Sequence, residues 1–310
     1  MELIDKYRGS LFGLAIGDAM GAPLEYLEPG SFEPVTDMTG GGVFKLRAGD
    51  WTDDTSMALC MAESLIECRG FDPSDQMERY LKWYHSGHLS SQGWCFDVGT
   101  VNRKALLNFE STRQSFCGLT DESSATNGSI MRLAPMALAY AAQPTRALDY
   151  AGESSRTTHA HPWCIDACRY LCALIMGALQ EEVSKEEILS PLYSPVKEYW
   201  AHRPLCPEIE AIARGSFKEK EPPDIMGDGS VLNSLEAALW AFHKSSTFEE
   251  GCLLAVNLGF DADSTGAVYG QLAGAFYGEA NLPAAWRSRL ALGHVIRRYS
   301  EQLFALSQTM

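Results

Sequence analysis

Two short acidic clusters carry most of the chemical information in this sequence: Trp51-Thr52-Asp53-Asp54-Thr55 and Asp261-Ala262-Asp263-Ser264-Thr265. Each sets carboxylates side by side or nearly so, next to hydroxyls, with no Cys or His among them. Like charges so close repel, so a counter-charge should make the arrangement favourable. An all-oxygen ligand set suits a hard divalent cation such as Mg, Mn or Ca. Two such clusters, far apart in the chain, could converge on a two-metal site. Each pair also precedes a predicted helix, where an acid can serve as a cap. Capping accounts well for one Asp per helix and poorly for a pair.

Other segments offer weaker signals. Gly17-Asp18-Ala19-Met20-Gly21 through Glu25-Tyr26 adds two acids at a predicted helix end. Asp18 could cap a helix or orient a ligand, and Glu25 could act as acid or base if it sits beside the metals. Taken alone, both read as surface or capping residues. Thr158-His159-Ala160-His161-Pro162 holds two histidines at i, i+2, which do not share a helical face. His161, before Pro162, reads as a residue that opens a helix. Both histidines read as structural, because a short His-x-His pair needs further ligands to hold a metal. Asn127-Gly128-Ser129 and Phe96-Asp97-Val98-Gly99-Thr100 are glycine-containing turns beside predicted helices. Exposed N–H groups there could bind phosphate, although most such turns are only turns.

These groups must be positioned by helices. Residues 54–68 set Met57, Cys60, Met61 and Leu65 on one stripe. Residues 161–180, 229–244 and 284–306 repeat apolar side chains at i, i+3, i+4. Gly42-Val43-Phe44-Lys45-Leu46 is the best alternating run, and it is short. The breaker-rich stretches 29–42, 191–206 and 219–229 predict loops. The expectation is an all-α fold, with residues 1–310 as one domain, since no stretch reads as an interdomain linker and a shared acidic site would need both ends of the chain. Glycine recurs at every fourth residue in two segments: Gly9, Gly13, Gly17, Gly21, and Gly266, Gly270, Gly274, Gly278. Each mid-helix glycine costs about 1 kcal/mol relative to alanine. Eight in register predict two central helices whose backbones approach something closely, in the manner of small-xxx-small packing. The simplest arrangement packs them on each other. The second series starts at the Asp261 cluster, so that packing would help to fix the site.

Composition sets broad limits. The chain has 310 residues, 46% of them hydrophobic, enough for a substantial core. Its formal charge of −15 argues against a general nucleic-acid footprint. Nine scattered cysteines do not form a disulfide framework. Cys164, Cys168 and Cys172 recur every fourth residue and read as core packing in preference to a zinc site, because reduced Cys behaves as a small hydrophobe. The N-terminus lacks a signal-type apolar region, and no uncharged apolar run reaches about 18 residues. Cytoplasmic localisation is expected.

Taken in order, Gly17-Asp18-Ala-Met-Gly21, Trp51-Thr52-Asp53-Asp54-Thr55, Asn127-Gly128-Ser129-Ile-Met131-Arg132, Thr158-His159 and Asp261-Ala-Asp263-Ser264 resemble the ADP-ribosylglycohydrolases. Phe96-Asp97-Val98-Gly99 resembles the bacterial, dinitrogenase reductase-activating branch of that family. The resemblance covers residues from about 8 to 280. It implies an all-α domain with two divalent ions, Mg or Mn. It implies Thr52, Asp53 and Asp54 as one set of metal ligands, and Asp261, Asp263 and Ser264 as the other. Ser264 stands where the family more often has Thr, which keeps the hydroxyl. By position, Glu25 matches a flexible acid near the family's metal site and Asp97 an acid on the substrate side of the cleft, which makes these two the candidate catalytic acids. Gly99, Asn127, Gly128, Ser129 and His159 match positions near the bound ADP-ribose. Ser230 departs from the pattern, since many bacterial members carry an aromatic residue there.

The implied activity is metal-dependent removal of ADP-ribose from modified protein side chains, with arginine the first expectation. The partners would be an ADP-ribosylated protein as substrate and ADP-ribose as product. Alternatives are ADP-ribosylserine or another ADP-ribose conjugate as substrate, or a non-catalytic ADP-ribose-binding protein. Intact acids at every metal position argue against the last.

Overall fold

Leu3–Gly21 forms helix α1, and its residues from Gly9 to Gly21 are all buried. A helix sequestered on every side needs small residues wherever a neighbouring backbone comes close, and the four glycines supply them. The structure is a computed structural model and describes residues 1–310. After α1 come α2 (Asp53–Glu67), α3 (Pro73–Ser86), α4 (Thr100–Thr112), α5 (Ala134–Ala139), α6 (Pro144–Ser155) and α7 (Pro162–Leu179). Three short helices follow, α8 (Lys185–Ile188), α9 (Tyr199–His202) and α10 (Pro207–Ala213). The chain ends with α11 (Val231–Lys244), α12 (Phe248–Val256), α13 (Ala262–Tyr277), α14 (Ala284–Arg289) and α15 (Gly293–Ser307).

The two glycine series meet. Gly9 faces Gly274, Gly13 faces Gly270 and Gly17 faces Gly266, so α1 and α13 run antiparallel. A Cβ built on any of these six would overlap backbone of the opposite helix. The expected close approach is therefore between these two helices, and it is backbone on backbone. Gly21 lies against Ala262 and Asp263, at the start of α13. Gly278 differs from the rest of its series: it ends α13 with φ +76°, a backbone glycine adopts without strain.

The remaining helices wrap this pair. α15 packs on α1, α2 and α5; α7 lies on α6 and α13; α11 and α12 cover the rest of α13. One continuous cluster of 87 buried apolar residues runs from Tyr7 to Leu303, so no second core divides the chain. Lys6 is buried and donates from Nζ to the carbonyls of Ala178 (2.7 Å) and Gln180 (2.6 Å) at the end of α7. A cation there satisfies carbonyls that have no partner within the helix.

α7 is long and apolar enough by composition to cross a membrane, but it is mostly buried inside the fold and carries the Asp166–Arg169 ion pair. Cys164, Cys168 and Cys172 lie on its buried face, and burial raises all three thiols above their ordinary range. His161 caps this helix, accepting from Trp163 N, with Pro162 at the first helical position.

Two expectations need adjustment. The 284–306 helix is broken: Leu290–Leu292 interrupts it, and Leu292 takes a left-handed φ of +48°. The i, i+3, i+4 apolar pattern continues through the break, so periodicity alone could not reveal it. The loop expected at 191–206 contains the single-turn helix α9. Residues 42–46 form a turn closed by the Gly41–Leu46 bridge.

Candidate active site

Both acidic clusters occupy first turns of helices. Thr52 is the N-cap of α2, with Asp53 and Asp54 its first two residues. Asp261 is the N-cap of α13, followed by Asp263 and Ser264 in its first turn. The positive ends of two helix dipoles thus support the carboxylates. The clusters meet: Thr52 Oγ1 is 3.1 Å from Asp263 Oδ2 and 3.2 Å from Asp54 Oδ2.

Glu25 follows a 3₁₀ turn (Ala22–Leu24) that extends α1. Reciprocal backbone bonds, Tyr26 N to Phe260 O and Phe260 N to Leu27 O, both 2.7 Å, fasten this turn beside Asp261. Asp97 arrives from the segment before α4. Carboxylate oxygens of Glu25, Asp97 and Asp263 all lie within 4.8 Å of one another. Tyr26 Oη donates to Asp97 Oδ1 at 3.4 Å. Tyr26, Asp97 and Phe260 have φ of +64°, +54° and +56°. Left-handed conformations of non-glycine residues each cost about 1 kcal/mol or more and persist where the surroundings enforce them.

A second group closes the cleft. The 3₁₀ turn Asn127–Ser129 is held by Asn127 N donating to Gly229 O (3.1 Å). Asn127 Nδ2 donates to Asp261 Oδ2 (3.0 Å) and Ser234 Oγ (2.9 Å). Gly128 has no room for a side chain: a Cβ would sit 2.7 Å from His159 Cε1 and 3.0 Å from Asn102 Nδ2. Ser129 Oγ accepts from Ser155 Oγ at 2.9 Å. His159 pairs through Nε2 with Thr126 Oγ1 and through Nδ1 with Thr158 Oγ1, both 2.8 Å. Burial, then the neighbouring Arg132 guanidinium, drives its pKa well below the ordinary histidine value, so the ring is neutral.

The resulting cleft measures about 690 Å³. Glu25, Asp53, Asp97, Gly99, Asn127, Gly128, His159, Asp261, Asp263 and Ser264 line it, whereas Thr52, Asp54 and Ser129 are buried and do not, and Asp18 and His161 lie outside its lining. Gly229 also lines it, whereas Ser230 faces a neighbouring surface groove.

The electrostatics are severe. Burial, followed by repulsion from neighbouring carboxylates, pushes Asp53, Asp54 and Asp263 well above the ordinary carboxylate range. Burial and Asp97 push Glu25 up to about 9, and burial also raises Asp97 to about 7. Asp54 Oδ1, Asp263 Oδ1 and Glu25 Oε2 are buried with no hydrogen-bond partner. No lysine or arginine forms an ion pair with any of these acids. Orphaned carboxylate oxygens in an all-oxygen cluster fit hard divalent cations, which would satisfy them directly.

Sequence reasoning missed two supports. Asp18 is neither a surface residue nor a cap of its own helix. It is fully buried and accepts from Thr52 N (2.8 Å), Thr52 Oγ1 (2.9 Å), Thr55 N (3.0 Å) and Thr55 Oγ1 (2.6 Å). It therefore caps α2 from α1. Glu25 likewise is 6% exposed and belongs to the cleft. Arg132 is fully buried beneath the Asn127 turn, donating to Gly128 O (2.6 Å), Asn102 Oδ1 (3.1 Å) and Thr158 Oγ1 (2.6 Å) and lying 4.7 Å from the Tyr80 ring centroid. The available signal for both was a charged residue inside an otherwise small or apolar run.

An all-helical protein whose central helix pair delivers buried acids to one cleft is the class that fold and site define. Within it, the chain belongs to the ADP-ribosylglycohydrolase family, whose sequence model matches residues 1–310. It is similar to the ADP-ribosylarginine hydrolase Tri1 of Serratia proteamaculans, 40% identical over 306 residues, covering 99% of this chain and 81% of that protein. It also resembles the ADP-ribosyl-[dinitrogen reductase] glycohydrolase of Rhodospirillum rubrum, 29% identical over 312 residues and covering 98% and 97% of the two chains. A solved structure described as an ADP-ribosylglycohydrolase-related protein complex superposes with a TM-score of 0.86 at 42% identity, covering 99% of each chain. The protein is a hydrolase that removes ADP-ribose.

Proposed function

We propose that this protein hydrolyses the bond between ADP-ribose and a modified protein side chain, arginine first, with two divalent cations, Mg or Mn. The observation that carries the metal requirement is the set of buried, unpartnered oxygens on Asp54, Asp263 and Glu25. The arginine preference is supported by the similarity to the Tri1 hydrolases. Thr52, Asp53 and Asp54 would hold one cation, and Asp261, Asp263 and Ser264 the other. When bound, such cations supply Lewis acidity toward ribose hydroxyls and water. The residues do the rest. Asn127 holds Asp261 in place through a 3.0 Å bond. Gly99, Asn127, Gly128 and His159 line the cleft that would take the ADP-ribose, with Ser129 supporting the turn from behind. Gly128 lets the turn pack directly against His159 and Asn102, where a Cβ would collide with both. Asp97 or Glu25 takes the proton from water and returns one to the leaving nitrogen. The anomeric carbon passes through an oxocarbenium-like transition state, which the surrounding carboxylates stabilise.

Residues 1–310 would act as one domain. With nine free thiols, the protein suits a reducing compartment such as the cytoplasm. The test is turnover of arginine- and serine-linked ADP-ribosyl peptides, with Mg or Mn and after chelation. Release of ADP-ribose from arginine, lost on chelation and restored by either ion, is expected. Faster release from serine would overturn the substrate assignment, and full activity in demonstrably metal-free protein would overturn the metal requirement.

A further inference from the structure

We propose that Asp18 is a positioning residue that turns Thr52 into a cation ligand by accepting the hydrogen bond from its hydroxyl, which leaves the hydroxyl lone pairs free for the cation. This rests on the two-cation reading above. Thr52 Oγ1 carries one hydrogen, yet it lies within hydrogen-bond distance of three carboxylates: Asp18 Oδ1 at 2.9 Å, Asp263 Oδ2 at 3.1 Å and Asp54 Oδ2 at 3.2 Å. A hydroxyl donates once and accepts through its remaining lone pairs. The contact with Asp18 is the shortest, and the same Asp18 oxygen already accepts Thr52 N–H. Donor hydrogen and backbone N–H of one residue thus converge on one oxygen. The hydroxyl lone pairs are left facing Asp54 and Asp263, the acids with orphaned oxygens. Oxygen facing oxygen without a hydrogen between them is repulsive, and a cation between them reverses the sign.

Asp18 is built for this task. All four groups it meets are donors, two at each oxygen, so it has to accept everywhere. It is fully buried, so no water competes for its oxygens. It stands on α1, one residue from Gly17, whose backbone contact with Gly266 fixes α1 against α13. The residue that directs Thr52's proton is therefore held in register with the helix that carries Asp263.

An asparagine in this position cannot accept at both ends. Its amide nitrogen must face either the Thr52 donors or the Thr55 donors. Asp18→Asn therefore misdirects one set of hydrogens while preserving volume. Thr55→Val is the matching control, since it removes a bond to the other Asp18 oxygen and leaves Thr52 untouched. Mn²⁺ binding to the full-length protein, read from loss of the free-ion electron paramagnetic resonance signal, separates the roles. Circular dichroism in the same samples reports folding. Asp18→Asn should weaken Mn²⁺ binding about 10–100-fold, the usual effect of losing an outer-shell partner of a metal ligand. Thr55→Val should lower thermal stability and leave Mn²⁺ affinity unchanged. If Asp18→Asn does not fold, Asp18→Ser, which leaves room for water, replaces it with the same expected loss. Parental Mn²⁺ affinity in a folded Asp18 variant would overturn the proposal, and so would an equal loss in Thr55→Val, which would reduce Asp18 to an anchor for α2. A parent protein that binds no Mn²⁺ would remove the two-cation reading itself and this inference with it.

Discussion

Replacing Gly17 by alanine sets two opposed effects against each other, and the structure decides between them. In an isolated helix the change gains about 1 kcal/mol from propensity. Here the added Cβ would fall inside the Gly266 carbonyl by roughly 1 Å and sit 2.9 Å from Ala267 N. Both obstacles are backbone, so no rotamer change relieves them and the helices have to separate. Overpacking of this kind costs about 1–3 kcal/mol, and a rigid backbone contact belongs at the upper end. The net loss is about 2 kcal/mol, or a melting temperature lower by about 3 °C for a chain of this length. The catalytic effect should be larger. α13 begins with Asp261 and Asp263, so a shift of about 1 Å moves them relative to Thr52, and misplacement on that scale costs about 100-fold in rate. Gly9→Ala is the control. It meets Gly274 in the same way, but lies about 12 Å further along the helix from the site. Chemical denaturation and release of ADP-ribose from arginine-linked substrate measure the two quantities. Gly9→Ala should lose stability and keep most activity while folded; Gly17→Ala should lose both. A Gly17→Ala protein more stable than the parent, or equally active, would refute the argument.

Asp54→Asn should abolish most turnover while raising the melting temperature of chelated protein, because it relieves repulsion from Asp18 and Asp261; a drop in that temperature would count against the repulsion. Asp97→Asn should cut release from arginine at least tenfold with little change in the circular dichroism spectrum, and a parental rate would remove Asp97 from the chemistry. Stability should also depend on His159. Unfolded, the ring takes up a proton below its ordinary value of 6.5, whereas the buried ring resists. Its contribution is therefore fully present above that pH and is lost on acidification by up to about 1.4 kcal/mol per unit. His159→Gln should flatten the fall in stability between pH 6.5 and 5.5, and identical slopes in the two proteins would show that another group is responsible.

The sequence carried the acidic pairs and the glycine ladders openly, because both are local patterns with few alternative explanations. Periodicity located α2, α7 and α11 to within a residue or two for the same reason. What it hid depends on tertiary proximity. Asp18 reads as an ordinary helix-end acid until its partners, 34 and 37 residues away, are known. Glu25 and Asp97 become neighbours only through the Tyr26–Phe260 backbone bonds and left-handed turns at Tyr26 and Asp97. The break at Leu290–Leu292 falls between apolar residues that suit either a continuous helix or two.

The pairing of α1 with α13 also imposes a schedule on synthesis. The two halves of the acidic site, Thr52 and Asp263, are 211 residues apart. At translation rates of about 5–20 residues per second, roughly 10–40 s separate their appearance. Throughout that interval α1 exists without the helix its glycines are shaped to meet, and the α2 acids exist without their counterparts. Closing so long a loop is also entropically unfavourable until both ends are present. The nascent chain is therefore catalytically inert until the α13 segment has been made, and premature termination anywhere before Asp261 leaves a product with half a site and an uncovered glycine face.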